Sequence, residues 1–292
     1  MNQFPFPPVP GSAERPEWTG AGFRLGDRVV PLLEYSESAE GWSDDLTELH
    51  EEVAGDSHPI DMASRNDALA QLGARFGDRP FTLLEVGCSS GFMLTALRQR
   101  FPKATLIGSD VIRDPLYALA HANPDIPLLR FDLVRCPLAS ESCDAVVMLN
   151  VLEHIADDAG ALAQTYRILK PGGVAVIEVP AGPRLFDAYD KALMHFRRYR
   201  LAELTQKLKN AGFSVERQSH LGFFLYPAFA AVKLKNQRML RQDTDLAELV
   251  KAQASGASKS RLVSLAVQLE AALGKVVSYP IGIRCLAVAR KR

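Results

Sequence analysis

A short apolar run followed by a glycine-rich turn, residues 83–91 (LLEVGCSSG), constrains the fold of this chain more than any other stretch. The run predicts a buried strand, and Gly87 and Gly91 allow the backbone to turn sharply into a following helix. Four more apolar runs without alternation come later, separated by predicted helices, at residues 104–108, 128–131, 143–149 and 174–179. Such strands are typical of a parallel sheet covered on both faces. The sequence therefore predicts a doubly wound, mostly parallel α/β sheet.

Two further strands and two additions complete the predicted organisation. Residues 213–218 alternate and residues 283–289 are apolar, which brings the predicted sheet to seven strands. Residues 1–56 are predicted to form an N-terminal extension with one short helix capped by Ser43. The core is predicted to span 57–219 and 281–292. Residues 220–280 form an insertion that we expect to act as a substrate lid, with an amphipathic helix whose leucines share one face: Leu262, Leu265, Leu269 and Leu273.

Composition excludes several classes of protein. Lys plus Arg and Asp plus Glu both number 34, so the overall charge does not favour a nucleic-acid partner. No apolar run approaches the ~20 residues of a membrane span, and the N-terminus lacks the features of a signal peptide. The four cysteines have no zinc-like spacing and are expected to be free thiols in a cytoplasmic protein. A peripheral membrane contact through 221–241, which is aromatic and then basic, remains a hypothesis.

Polar residues follow the predicted strands at the edge where parallel sheets bind ligands. The turn after the first strand would hold an anion through its backbone amides. Asp110 would accept the hydroxyls of a ribose, with Val111 beside it, and Asp132 would accept an adenine amino group, with Leu133 packing on the ring. The alternative for each carboxylate is an ordinary helix cap. The predicted cofactor-binding residues are Glu85, Gly87, Cys88, Ser89, Gly91, Asp110, Val111, Asp132, Leu133, Asn150 and Val151.

In combination, these motifs resemble the class I S-adenosylmethionine-dependent methyltransferases. The resemblance rests on ExGxxxG at 85–91, the two aspartates, NVLEHI at 150–155 and LKPGG at 169–173, and it covers residues 82–218 plus the final strand. It implies S-adenosyl-L-methionine as cofactor, a Rossmann-like fold and an antiparallel hairpin formed by the last two strands.

A second segment, HFRRY at 195–199, resembles methyltransferases that act on small molecules, glycans or lipid-linked acceptors. Methyl transfer to a hydroxyl oxygen usually needs a base, and His195 is the first candidate and His154 the second. The predicted acceptor-binding residues are Tyr189, Arg197, Arg198 and Tyr199. The VLEH segment is also similar to that of quinone O-methyltransferases, some of which use a metal there. An acidic residue commonly precedes VLEH in those enzymes, whereas this chain has Asn150, so no metal is predicted.

Two other classes of function stay open in the sequence. A methyltransferase-like protein could bind the cofactor without catalysis. An NAD-dependent oxidoreductase is weaker, because Ser89 replaces the second glycine of the GxGxxG pattern. A nucleic-acid methyltransferase would be expected to carry an aromatic-proline motif such as NPPY after the fourth predicted strand, and this chain has NVLEH there.

Overall fold

The computed structural model describes residues 4–36, 58–239, 261–274 and 276–292. Its central sheet has eight strands in the order β10-β11-β9-β8-β5-β6-β7-β4. Their bounds are β4 Leu33–Glu34, β5 Thr82–Val86, β6 Thr105–Asp110, β7 Leu128–Arg130, β8 Cys143–Leu149, β9 Leu169–Pro180, β10 Phe213–Leu221 and β11 Arg284–Lys291. The strands from β9 to β4 are parallel, and β11 is antiparallel to both of its neighbours. The predicted Rossmann-like sheet with a final antiparallel hairpin is confirmed.

Eight helices accompany the sheet within the described residues. They are α1 Pro59–Phe76, α2 Phe92–Arg100, α3 Asp114–Ala122, α4 Asp158–Ile168, α5 Ala188–Ala192, α6 Leu201–Asn210, α7 Tyr226–Met239 and α8 Arg261–Leu273. Gly77 lies directly after α1 with a positive φ of 57°, a backbone conformation that glycine adopts readily. Apolar side chains on the two faces of the sheet form two large core clusters, one including Leu84 and Ile177 and the other Leu83 and Val176. Alternate residues of one strand therefore enter opposite clusters, as burial on both faces requires.

The N-terminal extension contributes strands that the sequence did not predict. Residues 4–36 contain a small antiparallel sheet of β1 Glu17–Trp18, β2 Phe23–Leu25 and β3 Arg28–Val30. They also contain β4, which pairs with β7 and so adds an eighth strand to the predicted seven. An uncovered sheet edge exposes unpaired backbone groups, and β4 covers that edge. The helix expected near Ser43 lies outside the described residues.

The insertion begins with α7 and resumes with α8 before β11. Among the described helices, none is long and apolar enough to cross a membrane. All four cysteines are free and buried, as predicted.

Candidate active site

A cavity of about 1120 Å³ lies at the carboxyl ends of β5, β6 and β8 and extends under α7. Sites for drug-sized ligands usually measure about 300–1,000 Å³, so this one has room for a nucleoside cofactor and an acceptor together. Ten of the eleven predicted cofactor residues line it: Glu85, Gly87, Cys88, Ser89, Asp110, Val111, Asp132, Leu133, Asn150 and Val151. Residues that follow four different strands therefore meet at one cavity, as the strand-end pattern predicts.

The turn after β5 is shaped by its glycines. Gly87 has a φ of +75°, and a Cβ atom there would lie 2.4 Å from Cγ2 of Val151. Its amide and that of Cys88 both donate to the Ser109 carbonyl, which closes the turn onto β6. Gly91 does not line the cavity. A Cβ atom at Gly91 would clash with Leu119, so the backbone packs closely against α3 here, and the cofactor contact of Gly91 stays a prediction.

Asp110 holds this turn in place. Its Oδ2 accepts the amide of Ser89 at 2.9 Å, and its Oδ1 accepts the amide of Val111 at 2.7 Å. Its Oδ1 also lies 3.4 Å from the amide of Ile112, which donates to it. Asp110 thus serves the loop backbone and also faces the cavity.

Glu85 gives a direct test of whether the site fits S-adenosylmethionine. Its side chain is buried at the end of β5, and its Oε2 has no hydrogen-bond partner among the described residues. Burial raises the pKa of this carboxyl well above its usual range, and the charge of Asp110 raises it further. Two acidic groups that line one cavity favour a cationic ligand. The ammonium and sulfonium of S-adenosylmethionine match that requirement.

Asp132 combines the two roles that its sequence position allowed. It caps a short 3₁₀ turn, Leu133–Arg135, by accepting the amide of Val134 at 3.0 Å. It also lines the cavity beside Leu133. Asn150 follows β8 and has a left-handed backbone conformation, with a φ of 55°. Its backbone N–H donates to the Glu178 carbonyl.

His195 lies inside the cavity wall and is held by an aspartate. Its Nδ1 is 2.9 Å from Oδ1 of Asp190, and its backbone amide donates to the Asp190 carbonyl. Burial lowers the pKa of His195 and outweighs the opposite effect of Asp190, so its pKa lies below 6.5. Burial also raises the pKa of Asp190, but the bond from His195 and the charges of Arg198 and Lys233 outweigh it, so that carboxyl stays ionised.

His154, the second candidate base, lies edge-on to His195, with ring centroids 4.6 Å apart. Glu153 is fully buried beside it, and neither of its carboxyl oxygens has a hydrogen-bond partner among the described residues. Burial raises the pKa of Glu153 to about 8. One ligand atom from each of these three residues lies within 4.8 Å of the other two, which is close enough to hold a metal ion. The absence of a metal stays a prediction.

The HFRRY segment divides between two sides. Arg198 lines the cavity, donating to Asp190 at 2.7 Å and to the Ala181 carbonyl at 2.8 Å. Arg197 and Tyr199 face away from it and meet at Asp158 on α4, with Arg197 at 2.8 Å and the Tyr199 hydroxyl at 2.9 Å. Tyr199 is fully buried. The predicted acceptor contacts of Arg197 and Tyr199 are therefore corrected to a tether between this segment and α4.

Sequence reasoning missed an ion cluster that joins the insertion to the core. Lys233 of α7 is buried and donates to Asp187 at 2.8 Å and to Asp190 at 3.0 Å. Its ammonium also lies 4.9 Å from the ring centre of Tyr189, a predicted acceptor residue that lines the cavity. The DAYD pattern at 187–190, a reciprocal helix cap, was the available signal. Core packing was the favoured interpretation of residues 221–234 and lipid contact its alternative; Lys233 is buried in the protein.

A second buried ion cluster contributes Asp61, Ser64 and Arg284 to the lining of the cavity. Arg284 of β11 donates to Glu178 and Ser64, both at less than 3 Å, and to Asp61 of α1. The charges of both carboxylates raise the pKa of Arg284 and outweigh the effect of burial. This cluster fixes the start of α1 over the final hairpin. Its members lie on three distant parts of the chain, so no local sequence pattern could predict the cluster.

Residues 62–218 match the family model described as a methyltransferase domain. The match covers more than half of the chain. The chain belongs to this methyltransferase family. S-adenosylmethionine is the methyl donor of the family, and the predicted class I assignment is confirmed. An NAD-dependent oxidoreductase is accordingly not supported.

Three curated relatives are similar to the matched region. A protein of Mycolicibacterium smegmatis named a probable S-adenosylmethionine-dependent methyltransferase is 31% identical over 46% of this chain and 52% of its own length. A trans-aconitate 2-methyltransferase of Deinococcus radiodurans is 32% identical over 40% of this chain and 45% of its own. A demethylmenaquinone methyltransferase of Thermus thermophilus is 29% identical over 36% of this chain and 50% of its own. The chain thus spans about half the length of these relatives.

Solved structures support the fold. A phosphoethanolamine N-methyltransferase of Haemonchus contortus has a TM-score of 0.54 at 18% identity, over 84% of this chain and 57% of that one. The 4+2-cyclase SpnF has a TM-score of 0.51 at 19% identity, over 77% of this chain and 80% of that one. The names of these two proteins describe different reactions, so likeness of fold does not identify the acceptor.

Proposed function

We propose that this protein transfers a methyl group from S-adenosylmethionine to a hydroxyl oxygen of a small-molecule, glycan or lipid-linked acceptor, with His195 as the general base. The observation that carries the proposal is the His195–Asp190 pair inside the cavity wall. An ionised Asp190 accepts the Nδ1 proton, which leaves the lone pair of Nε2 available to a substrate. Burial lowers the pKa of His195, which favours the neutral imidazole that a base requires.

The residues around the strand ends would hold the cofactor, and S-adenosylmethionine would supply an electrophilic methyl group on a sulfonium. Asp110 would accept ribose hydroxyls, and Glu85 would face the cationic portion. His195 would take the proton of the acceptor hydroxyl as the oxygen becomes nucleophilic. The protein mainly aligns the two partners and excludes water, since the methyl group is already activated.

Apolar residues of the insertion support a largely apolar acceptor. Leu225, Phe229 and Val232 of the α7 region and Val263 of α8 line the part of the cavity beyond the cofactor residues. Carboxylate recognition has less support, because the cavity-lining Arg198 and Lys233 already pair with aspartates. The insertion at 220–280 would therefore act as the acceptor lid.

A screen of hydroxylated acceptors with labelled S-adenosylmethionine tests this function, with His195→Gln as the decisive variant. The variant should lose turnover by about 10²–10⁴-fold, the usual contribution of a general base, and should still bind S-adenosylhomocysteine. Equal turnover by both proteins would remove His195 as the base. Tight cofactor binding without product from any acceptor would favour the non-catalytic alternative.

The cofactor assignment has a separate test in Asp110→Asn. The amide loses the charge and one acceptor oxygen, so affinity for S-adenosylhomocysteine should fall about 10- to 100-fold by calorimetry. Asp125→Ala, which removes only a surface pair with Arg98, is the control and should bind normally. Normal binding by Asp110→Asn would contradict the ribose assignment.

A further inference from the structure

The end of the N-terminal extension lies beside two of the strand ends that form the cavity. Strand β4 pairs with β7 in parallel, with Glu34 opposite Arg130, and the amide of Tyr35 donates to the Arg130 carbonyl at 2.8 Å. Asp110 ends β6 and Asp132 follows β7, and both line the cavity. The extension therefore reaches the edge of the sheet where the candidate cofactor residues stand.

Glu34 bears on the turn after β6 through a single arginine. The Arg130 guanidinium donates from Nη1 to Glu34 at 2.9 Å and from Nε to the Val111 carbonyl at 3.0 Å. A guanidinium is a planar fork of donors, so a carboxylate that holds one N–H also fixes the direction of the others. The Tyr117 hydroxyl of α3 donates to the second carboxyl oxygen of Glu34 at 2.8 Å, which holds that carboxylate in place.

The pair of Glu34 with Arg130 is partly shielded from water. The side chain of Arg130 is 11% exposed and that of Glu34 is 31% exposed. Burial raises the pKa of Glu34, but hydrogen bonds from Tyr117 and Arg130 and the charge of Arg113 outweigh it, so the pKa lies below its usual value. Glu34 is therefore ionised at neutral pH, and its removal takes a charged partner away from Arg130.

The backbone of Val111 is held on both of its polar groups. Asp110 accepts its amide at 2.7 Å, and Arg130 donates to its carbonyl at 3.0 Å. Val111 itself lines the cavity. A site whose backbone is fixed before the ligand arrives pays less entropy on binding, so a contact that fixes this turn contributes to affinity without touching the ligand.

A second residue of the extension contacts the turn after β7. The Asp132 amide donates to the Ser36 hydroxyl oxygen at 3.1 Å, while the Asp132 carboxylate accepts the Val134 amide at 3.0 Å. The backbone and the side chain of Asp132 are thus each held by a hydrogen bond. Glu34 and Ser36, two residues apart, therefore bear on the two turns that carry Asp110 and Asp132.

We propose that Glu34 and Ser36 are positioning residues for the adenosine portion of S-adenosylmethionine. Glu34 acts through Arg130 on the turn after β6, and Ser36 acts on the backbone of Asp132. Both lie outside the residues that line the cavity, so they act through other residues. The proposal rests on the ribose and adenine roles given to Asp110 and Asp132 in the proposed function, and it is independent of the acceptor and of the base.

Calorimetry of the full chain with S-adenosylhomocysteine and with methylthioadenosine, which lacks the amino-acid portion, tests the proposal. Glu34→Ala should weaken both ligands by the same factor, about tenfold, because only the adenosine portion loses its fixed turn. Glu17→Ala is the matched control, since it removes the carboxylate of an ion pair with Arg24 in the same extension, on β1 and β2. It should bind both ligands as wild type does.

A double variant gives a readout that a merely structural role would not move. Because Glu34 acts through Arg130, Glu34→Ala/Arg130→Met should bind no more weakly than Arg130→Met alone, whereas two independent effects would multiply. Ser36→Ala should weaken both ligands about two- to tenfold, and Ser36→Thr, which keeps the hydroxyl oxygen, should restore binding. Thermal unfolding of each variant verifies that it is folded during the titration, and the two Ser36 variants decide the matter if Glu34→Ala is not.

Three outcomes would overturn the proposal. A folded Glu34→Ala could bind both ligands normally. The loss could be confined to S-adenosylhomocysteine, which would assign the effect to the amino-acid portion. The effects of Glu34→Ala and Arg130→Met could multiply, which would leave Glu34 with a structural role alone. Asp110→Asn separates this result from the cofactor assignment: if it binds weakly while Glu34→Ala binds normally, only the positioning role fails, and if it binds normally, the ribose assignment fails.

Discussion

The pairing of His195 with Asp190 predicts how kcat/KM should depend on pH. The base must be neutral, and burial lowers the pKa of His195 from its usual value, so kcat/KM should be level near neutrality and fall only on the acid side. In Asp190→Asn the effect that raises the pKa of His195 is lost, while burial still lowers it. The acid limb should therefore move to lower pH as kcat falls. An acid limb at an unchanged pH would show that Asp190 acts only as a structural partner.

The raised pKa of Glu153 predicts that the stability of the protein changes with pH. Its pKa is about 8 when folded and near 4.5 when unfolded, so the folded state keeps a proton that the unfolded state releases between these values. Stability should therefore fall as pH rises from about 4.5 to 8, by at most about 1.4 kcal/mol for each unit of pKa difference. Glu153→Gln carries no proton to lose, and its dependence over this range should be weaker.

Thermal unfolding of both proteins at several pH values checks this. The melting temperature of Glu153→Gln relative to wild type should increase as pH rises toward 8. Glu141→Gln, an exposed position, serves as the control and should track wild type. A constant difference between Glu153→Gln and wild type across the range would mean that Glu153 is ionised in the folded protein.

Neighbouring side chains of the HFRRY segment have different surroundings, since Arg198 lines the cavity and Tyr199 contacts Asp158 of α4. Tyr199→Phe removes a buried hydroxyl that donates to Asp158 at 2.9 Å, with the Leu152 carbonyl 3.3 Å away. Hydrogen bonds to charged groups contribute about 1.5–3 kcal/mol, so the free energy of unfolding should fall by that amount in a urea titration. The KM for the acceptor should stay near wild type. A raised KM with unchanged stability would return Tyr199 to the acceptor site.

Elements differ in how far the sequence could predict them. The parallel strands could be predicted because burial on both faces leaves continuous apolar runs. The candidate cofactor residues line one cavity because they stand at strand ends. Strand β4 was not visible, since two residues carry no pattern. The roles of Arg197 and Tyr199 could not be read either, because their partner Asp158 lies about 40 residues away and meets them only in the folded chain.

Helix α8 shows a property that the sequence pattern could not predict, namely which face of the helix turns toward the core. A helical pattern identifies which residues share a face, and Leu265, Leu269 and Leu273 do share one. It does not say which face turns toward the core. Glu270 fixes the rotation of the helix, because its carboxylate accepts hydrogen bonds from backbone amides of the segment before α7. Local periodicity therefore predicts an element, while its rotation depends on polar contacts made elsewhere.

Across the whole molecule, Lys233 connects the insertion to the proposed catalytic pair, His195 and Asp190. It is buried between Asp187 and Asp190, and Asp190 in turn holds His195. Removing one partner of a buried ion cluster leaves an uncompensated charge, which typically costs about 3–5 kcal/mol. Lys233→Met should therefore destabilise the protein by roughly that amount in urea unfolding, and it should loosen α7, so that the KM for the acceptor rises more than the affinity for S-adenosylhomocysteine changes.

A double variant separates the charge effect from lost packing. Asp187→Asn removes the carboxylate that Lys233→Met leaves without its cation, whereas Asp190 keeps Arg198 and His195 as partners. The double variant should thus recover most of the stability lost by Lys233→Met alone, because coupled residues in one cluster are not additive. Recovery of stability without recovery of the acceptor KM would show that Lys233 positions the lid over the site. Failure to recover stability would mean that Lys233 acts mainly through its contacts with the rings of Tyr189 and Phe229.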